Sequence, residues 1–460
     1  MRFNKIYFTL FFLILVASSC KKYVDIPPPT NQLVKELVFS DDKTATATVS
    51  GLYSRFNSFN SSFGNMITNF LPAFSADEFR YTLNSANFDE FSQNSITTSN
   101  TSIKSTWDNA YSSIYHANAV LEGLTSATAV SAAVKQQLTG EAKFIRSYCY
   151  FYLVNYFGDV PLVLNTDFRT NTSLPKSPLA DVYAAIIKDL EEAQVALSDN
   201  YPSTERIRAN KSTATALLAR VYLYRGEWAK AEAEATKVIT NTTYKLVKDL
   251  NAIFLTNSTE AILQWQTTNT STTGVNTWEG FSIIPTTPTT NVGYYAYDNF
   301  VAAFETGDQR RNSWIKAITI GTTTYYYPFK YKVRTGTTIT EYSMVIRMAE
   351  QYLIRAEARA QQNNVAGAKD DVDEIRKRAG LGVVSATLSK DQMLLAIEQE
   401  RRIELFSESG HRWFDLKRSG KALTVLVAIK PNIKARDLLY PIPLDAILTN
   451  PNLVQNQGYN

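Results

Sequence analysis

The sequence predicts a mostly α-helical fold: a scaffold of helix pairs that carries long irregular loop insertions and a few short strands. Three observations lead to it. Apolar residues recur at three- and four-residue steps through several long segments, the period of a helix with one buried face. Two segments place such stripes on either side of a tight turn. Two further stretches, rich in Ser, Thr and Asn, lose the period altogether.

The first element lies outside the fold. Arg2 and Lys5 make a cationic start, residues 6–16 are apolar except for Thr9, and Ala17, Ser18 and Ser19 lead into Cys20. A charged start, a short apolar centre and a small-residue exit predict a secretory leader over residues 1–19. The run falls short of the roughly 20 residues that span a bilayer. A cysteine directly after the small residues resembles a bacterial lipobox, where the thiol is acylated and becomes the new N-terminus. Cys20 is therefore the lipidation site expected here, with ordinary secretion and an incidental cysteine as the alternative. Residues 20–30 then form the lipidated N-terminus and tether, because Pro27, Pro28 and Pro29 hold the chain extended.

Residues 31–460 read as one helical domain. Trp107, Tyr111, Ile114, Asn118 and Leu121 stripe one long helix. A second covers residues 132–156 and stops at Gly158, with Pro161 beyond; a third covers residues 179–197. In RIRANKSTATALLARVYLYRGEWAKAEAEATKVI, Leu217, Val221 and Tyr224 stripe one helix, Gly226 breaks it, and Trp228, Ala231, Ala235 and Val238 stripe the next. Ala216, Ala219, Ala231 and Ala235 let the two approach closely, which makes a hairpin of tetratricopeptide type. A second unit has Met348, Tyr352, Leu353 and Ala356 before a turn at Asn363 and Asn364, then Ala368, Val372 and Ile375. The two units are far apart in sequence, so they are not a simple tandem array. The aperiodic insertions fall at about 56–100 and 241–343, and the alternating Thr and Tyr of residues 320–333 predict a short β-hairpin.

Composition removes several function classes. With 45% hydrophobic and 20% charged residues the chain is a folded globular protein. The net charge is only +4, and Arg2 and Lys5 of the leader contribute to it, so nothing points to nucleic acid. Apart from Cys20 the one cysteine is Cys149, in the apolar run SYCYFYLV, where a buried structural thiol is expected. His116 and His411 lack the spacing of a zinc site. No metal and no cofactor is expected.

Blocks along almost the whole mature length make the chain closely resemble the SusD/RagB family of outer-membrane nutrient-binding lipoproteins from Bacteroidetes-type bacteria. They are CKKYVDIPP, TWDNAYSSIYHANAVLE, AKFIRSYCYFYLVNYFGDVPLV, KSTATALLARVYLYRGEW, FETGDQRR, MAEQYLIRAEARA, IRKRAGL, IEQERRIELFSESGHRWFDLKRSG and YPIPLDAILTNPNLVQNQGY. The resemblance implies a helical body with tetratricopeptide-like pairs, held by lipid on the extracellular face of the outer membrane. It also implies a partner, a SusC-type TonB-dependent transporter, and an oligosaccharide or polysaccharide ligand. Some members of the family take peptides or other nutrients.

The most chemical-looking stretch, EQERRIELFSESGHRWFDLKRSG, offers Glu398, Glu400, Glu404, Glu408, His411 and Asp415. Opposite charges at helical spacing, such as Glu398 with Arg402, read as surface or half-buried ion pairs, and His411 as a packed residue at a helix end. No local motif assigns the two carboxylates, about 5 to 10 Å apart, that a glycosidase needs. No catalytic residue is expected. A sugar site needs flat apolar faces with a few convergent polar groups. Trp278, Tyr294, Tyr295 and Tyr297 in the second insertion and Phe79, Tyr81 and Phe88 in the first are the ligand-binding candidates. Trp278 and Tyr294 rank highest, because their Thr/Asn/Gly-rich surroundings leave little core to pack into. Trp265, beside an apparent strand, reads equally well as core; Trp107, Trp228 and Trp413 lie in helical stripes or shared blocks and read as structural. The expected function is capture of oligosaccharides at the cell surface and delivery to the transporter. The alternatives are binding of peptide or another non-sugar nutrient, and a purely structural subunit of the transporter complex.

Overall fold

The computed structural model describes residues 38–57, 63–83, 85–267, 275–287 and 293–459. The leader, Cys20 and the proline tether lie outside the described residues. The principal helices are α1 (Asp42–Phe56), α2 (Thr101–Ser126), α3 (Ala132–Phe157), α4 (Leu179–Ala196), α5 (Lys211–Arg225), α6 (Trp228–Ile239), α7 (Met348–Gln361), α8 (Val365–Arg378), α9 (Lys390–Glu404) and α10 (His411–Arg418). The periodic segments are thus helices, with ends set by local chemistry. The Asn100 side chain accepts from the Ser102 and Ile103 amides to start α2, and the Ser131 hydroxyl accepts from Val134 to start α3. Gly158, at φ 74°, terminates α3. Asn210 and Thr213 form a reciprocal cap on α5.

Both predicted hairpins are present. Gly226 turns α5 into α6 at φ 70°, and Asn363 turns α7 toward α8 at φ 64°. Ala216, Ala219, Ala231 and Ala235 are fully buried, so the first pair packs backbone to backbone. Helices α2 to α8 pack each against the next, and α6 lies directly on α7. The two hairpins are therefore spatial neighbours although a long insertion separates them in sequence. That insertion leaves the helical stack after α6 and re-enters it at α7.

Six short strands form three antiparallel pairs among the described residues. They are β1 (Phe79–Tyr81), β2 (Ala261–Trp265), β3 (Tyr294–Ala296), β4 (Ile315–Ile320), β5 (Thr323–Pro328) and β6 (Ser343–Arg347), paired β1–β3, β2–β6 and β4–β5. The β-hairpin is displaced from the expected 320–333. Its turn is at Gly321, with φ 62°, so the Thr/Tyr run is only the second strand and IKAITI supplies the first. A two-stranded ribbon needs a partner of matching length before the turn, which the Thr/Tyr pattern alone did not reveal.

Neither insertion is a surface loop system throughout. The first contains a π-helical turn (Met66–Phe70), short helices at Leu71–Ser75 and Ala86–Gln93, and β1. Phe63, Phe70, Phe74 and Phe91 in it are exposed by 3% or less. Its aromatics were spaced without helical period because successive short elements, not one helix, carry them inward. Cys149 is fully buried, and burial pushes its thiol well above the ordinary range. Among the described residues no helix is long and apolar enough to cross a membrane.

Candidate functional site

The charged block of α9 and α10 is a buried ion-pair network. Arg347, the N-cap residue of α7, reaches Glu404 at 2.5 Å, Glu260 at 2.8 Å and Glu408 at 2.7 Å. Arg310 holds Asp308, Glu400 and Glu404 at 2.8, 2.5 and 2.9 Å. Lys330 meets Glu408 at 2.5 Å and lies 4.0 Å above the Phe406 ring and 4.7 Å above Trp314. Burial would raise the Glu404 carboxyl, but Arg378, Arg347 and Arg310 overcome it and hold the group well below its ordinary range. Burial brings Lys330 down to about 8 despite Glu408. His411 is buried too, and burial together with Arg220 drives its imidazole well below the usual value. These carboxylates are committed to cations inside the protein, so they join α7, α8, α9 and the second insertion.

The network is more buried than helical spacing implied, and one pair differs. Arg402 bonds Asp77 of the first insertion at 2.9 Å, while Glu398 meets Arg412 at 3.3 Å and also Lys421. Asp77 is brought in by tertiary packing, and Arg402 turns toward that buried charge rather than toward its neighbour one helical turn back.

The two insertions meet at β1 and β3, where Phe79 pairs with Ala296, Arg80 with Tyr295 and Tyr81 with Tyr294. Phe79, Tyr81, Tyr294 and Tyr295 are thereby gathered with Tyr297 and Phe88. Trp278 stands apart, at the start of a short helix (Trp278–Ile283) capped by Thr277, with its ring 5.5 Å from Phe281.

Four of the seven ring candidates are buried, which corrects the basis on which Trp278 and Tyr294 ranked highest. Phe79 and Tyr295 are 2% exposed, Tyr294 7% and Trp278 9%. Tyr294 stacks on Phe74 at 5.6 Å and lies 4.9 Å from Phe70. Tyr295 stacks on Tyr325 at 4.3 Å, and Phe79 meets Phe300 edge-on at 5.5 Å. A Thr/Asn/Gly-rich neighbourhood has little core of its own, but for Tyr294 the other insertion supplies one through Phe70 and Phe74.

Tyr81, Phe88 and Tyr297 remain half-buried with surface to offer. Tyr81 and Phe88 meet edge to face at 4.8 Å on one side of the β1–β3 ribbon. On its other side the exposed Arg80 lies 5.9 Å over the Tyr297 ring, beside Tyr325 of the β4–β5 hairpin. Tyr326 is half-buried, with Arg311 4.7 Å from its ring. Burial raises the Tyr81 phenol, with Asp89 adding to it, and burial raises Tyr297 against the pull of Arg80. Both phenols therefore stay neutral at pH 7 and both donate and accept hydrogen bonds. The corner thus offers ring faces and hydroxyls on both sides of the ribbon and a guanidinium on one, groups that stack on and hydrogen-bond a polyol. Tyr325 and Tyr326 were missed as site residues; the Thr/Tyr run signalled a strand and gave no sign that it folds against β3.

Trp265 is core: in β2, 1% exposed and stacked on Phe56 at 5.1 Å. Trp413 is fully buried. Among the described residues no three His, Cys, Asp or Glu side chains are grouped to hold a metal ion.

Comparison with known proteins extends the likeness over most of the chain. Residues 23–223 match a family profile described as "Starch-binding associating with outer membrane", and residues 267–459 match one described as "SusD family". SusD-like protein P25 of Formosa agariphila is 23% identical, with 98% of this chain and 97% of the relative covered. SusD-like protein P2 of the same organism is 28% identical over 70% of this chain and 74% of its own. A SusD superfamily protein of Bacteroides vulgatus superposes with a TM-score of 0.80 at 21% identity, covering 92% of this chain and 100% of that one. A laminarin-binding SusD-like protein superposes with a TM-score of 0.77 at 25% identity, covering 91% of this chain and 100% of that one.

Proposed function

The chain belongs to the SusD/RagB family, and we propose that it is a cell-surface lipoprotein that captures oligosaccharides and hands them to a SusC-type TonB-dependent outer-membrane transporter. The observation that carries the sugar-binding part is the aromatic corner, where both insertions converge and leave Tyr81 and Phe88 partly uncovered on one side and Tyr297 beside Arg80 on the other. The laminarin-binding neighbour and the starch-binding family description favour a glycan over a peptide. Binding and release are the whole mechanism. Ring faces contribute apolar contact and neutral phenols contribute hydrogen bonds, an affinity modest enough for the ligand to be passed on. In this reading acylated Cys20 holds the protein on the outer face of the membrane, with residues 21–30 as the tether.

Replacing Tyr81 and Tyr297 together by Ala tests the corner. Retention in native affinity gels cast with laminarin, starch, xylan or mannan should fall at least tenfold while the unfolding midpoint stays within a few degrees. Unchanged retention of a polysaccharide that the wild type binds would sink the assignment. A parallel solution screen against peptides separates the nutrient classes, and binding of peptides alone replaces the glycan reading.

A further inference from the structure

A concavity of about 370 Å³ opens where the first half of α2 faces the loop after α3 and a short helix near the C-terminus, Leu444–Thr449. Trp107 and Tyr111 form its floor, with ring centroids 4.8 Å apart. Asn171 and Thr172 stand on one wall, Thr449 and Asn450 on the other. The walls are tied together. The Tyr111 hydroxyl donates to the Pro161 carbonyl at 2.8 Å, and the Asn450 amide donates to the Leu174 carbonyl at 2.8 Å. An apolar floor under amides and hydroxyls, in a space of this size, is the make-up of a small-ligand site.

The charges on its rim narrow the ligand. Lys104 is paired with Asp108 and lies 3.6 Å from Asp445, so one cation is shared between two carboxylates. An anionic ligand would face that excess negative charge, and a cation would compete with Lys104. A neutral, hydroxyl-rich molecule meets no such penalty and donates to the carboxylates. Phe168, 72% exposed, sits on the same helical turn as Asn171, which lines the concavity.

The concavity is also connected to the corner through α2. Asn87, next to Phe88, donates to the Thr101 hydroxyl at 2.7 Å, at the first residue of α2. From there Thr101, Lys104, Asp108 and Tyr111 follow one another at helical spacing along one stripe of α2. At 1.5 Å per residue, Thr101 and Asp108 are about 10 Å apart along the axis. Such a stripe would lead a chain-like ligand from Phe88 and Asn87 to the concavity.

We propose that the concavity is a second saccharide subsite, which takes a more distant stretch of the same neutral glycan chain that the aromatic corner holds. The proposal rests on the glycan-binding reading above. Two linked contacts make the second an intramolecular event, so long chains bind more tightly than short ones.

The test uses the mature chain and a polysaccharide retained from the neutral panel of laminarin, starch, xylan and mannan, with its oligosaccharides of two to ten sugars in calorimetry. Thr449→Trp and, from the opposite wall, Thr172→Trp fill the concavity from exposed positions. Both should weaken the longest oligosaccharides about tenfold and abolish the gain with length, leaving di- and trisaccharide binding as in the wild type. Wild-type affinity for long chains in both variants overturns the subsite. If Tyr81→Ala with Tyr297→Ala then still abolishes retention, the glycan-binding reading stands without it. A wild type that retains none of the four polysaccharides overturns both.

Discussion

Asp77 and Glu78 are adjacent carboxylates in one buried environment, and they titrate in opposite directions. Burial disfavours the charge on both. At Asp77 the Arg412 and Arg402 guanidinium groups, 2.7 and 2.9 Å away, overcome it and hold the pKa below its ordinary value. Glu78 has a buried oxygen without a hydrogen-bond partner; burial, then the Asp77 charge, push it from 4.5 up to about 8. The folded state therefore binds a proton that the unfolded chain releases, and stability falls as pH rises from about 4.5 to about 8. Glu78→Gln should match the wild type near pH 4.5 and exceed it by on the order of 3 kcal/mol at pH 8.5. Urea unfolding at the two pH values checks this; equal wild-type and variant stabilities at pH 8.5 would refute it. Arg347 is the opposite case, a cation with three carboxylate partners. Arg347→Met leaves those acids buried without it and should cost about 3–5 kcal/mol in denaturant unfolding. The residue types in this block were legible as ion-pairing from helical spacing. Their full burial was not, because Asp77, Glu260 and Arg310 come from distant segments.

Helices α5 and α6 show how much of an element is written locally. Gly226 closes α5 at φ 70°, and a Cβ built there would come no nearer than 3.5 Å to another heavy atom, in the Trp228 ring. Gly226→Ala therefore measures backbone conformation rather than a clash, and should lower stability by about 1 kcal/mol. A denaturation midpoint unchanged from wild type would show that the turn relaxes instead. Caps, stripes and turn residues of this kind act over four residues, which is why α2 to α8 were recognisable, α3 and α4 with their ends nearly in place and the two hairpins with their turns. Of the short strands, β2 beside Trp265 and the Thr/Tyr run of β5 were recognisable, and β1 and β3 were not. β1 and β3 are three residues each and exist because they pair with each other across about 215 residues of chain. The same holds for Tyr294: a Thr- and Asn-rich context suggested an exposed ring, and packing against Phe70 and Phe74 of the other insertion covers it.

For the whole molecule, the proposed role divides between the N-terminal cysteine and the folded body. The lipid is expected to decide where the protein resides, and the folded body what it holds. Cys20→Ser should abolish labelling by radioactive palmitate and move the protein from the outer-membrane fraction to the soluble one. Its affinity for a retained polysaccharide should stay unchanged. Persistence in the membrane fraction without label would point to attachment through the transporter alone. From its own residues the sequence determined the helical class and the two hairpins, because periodicity, capping and turn signals are local in the chain. Only the tertiary structure decided which aromatics are core and which remain at the surface. It also brought the two hairpins into contact and paired β1 with β3. The reason is physical: burial depends on what arrives from elsewhere in the chain, and no local pattern records the arrival.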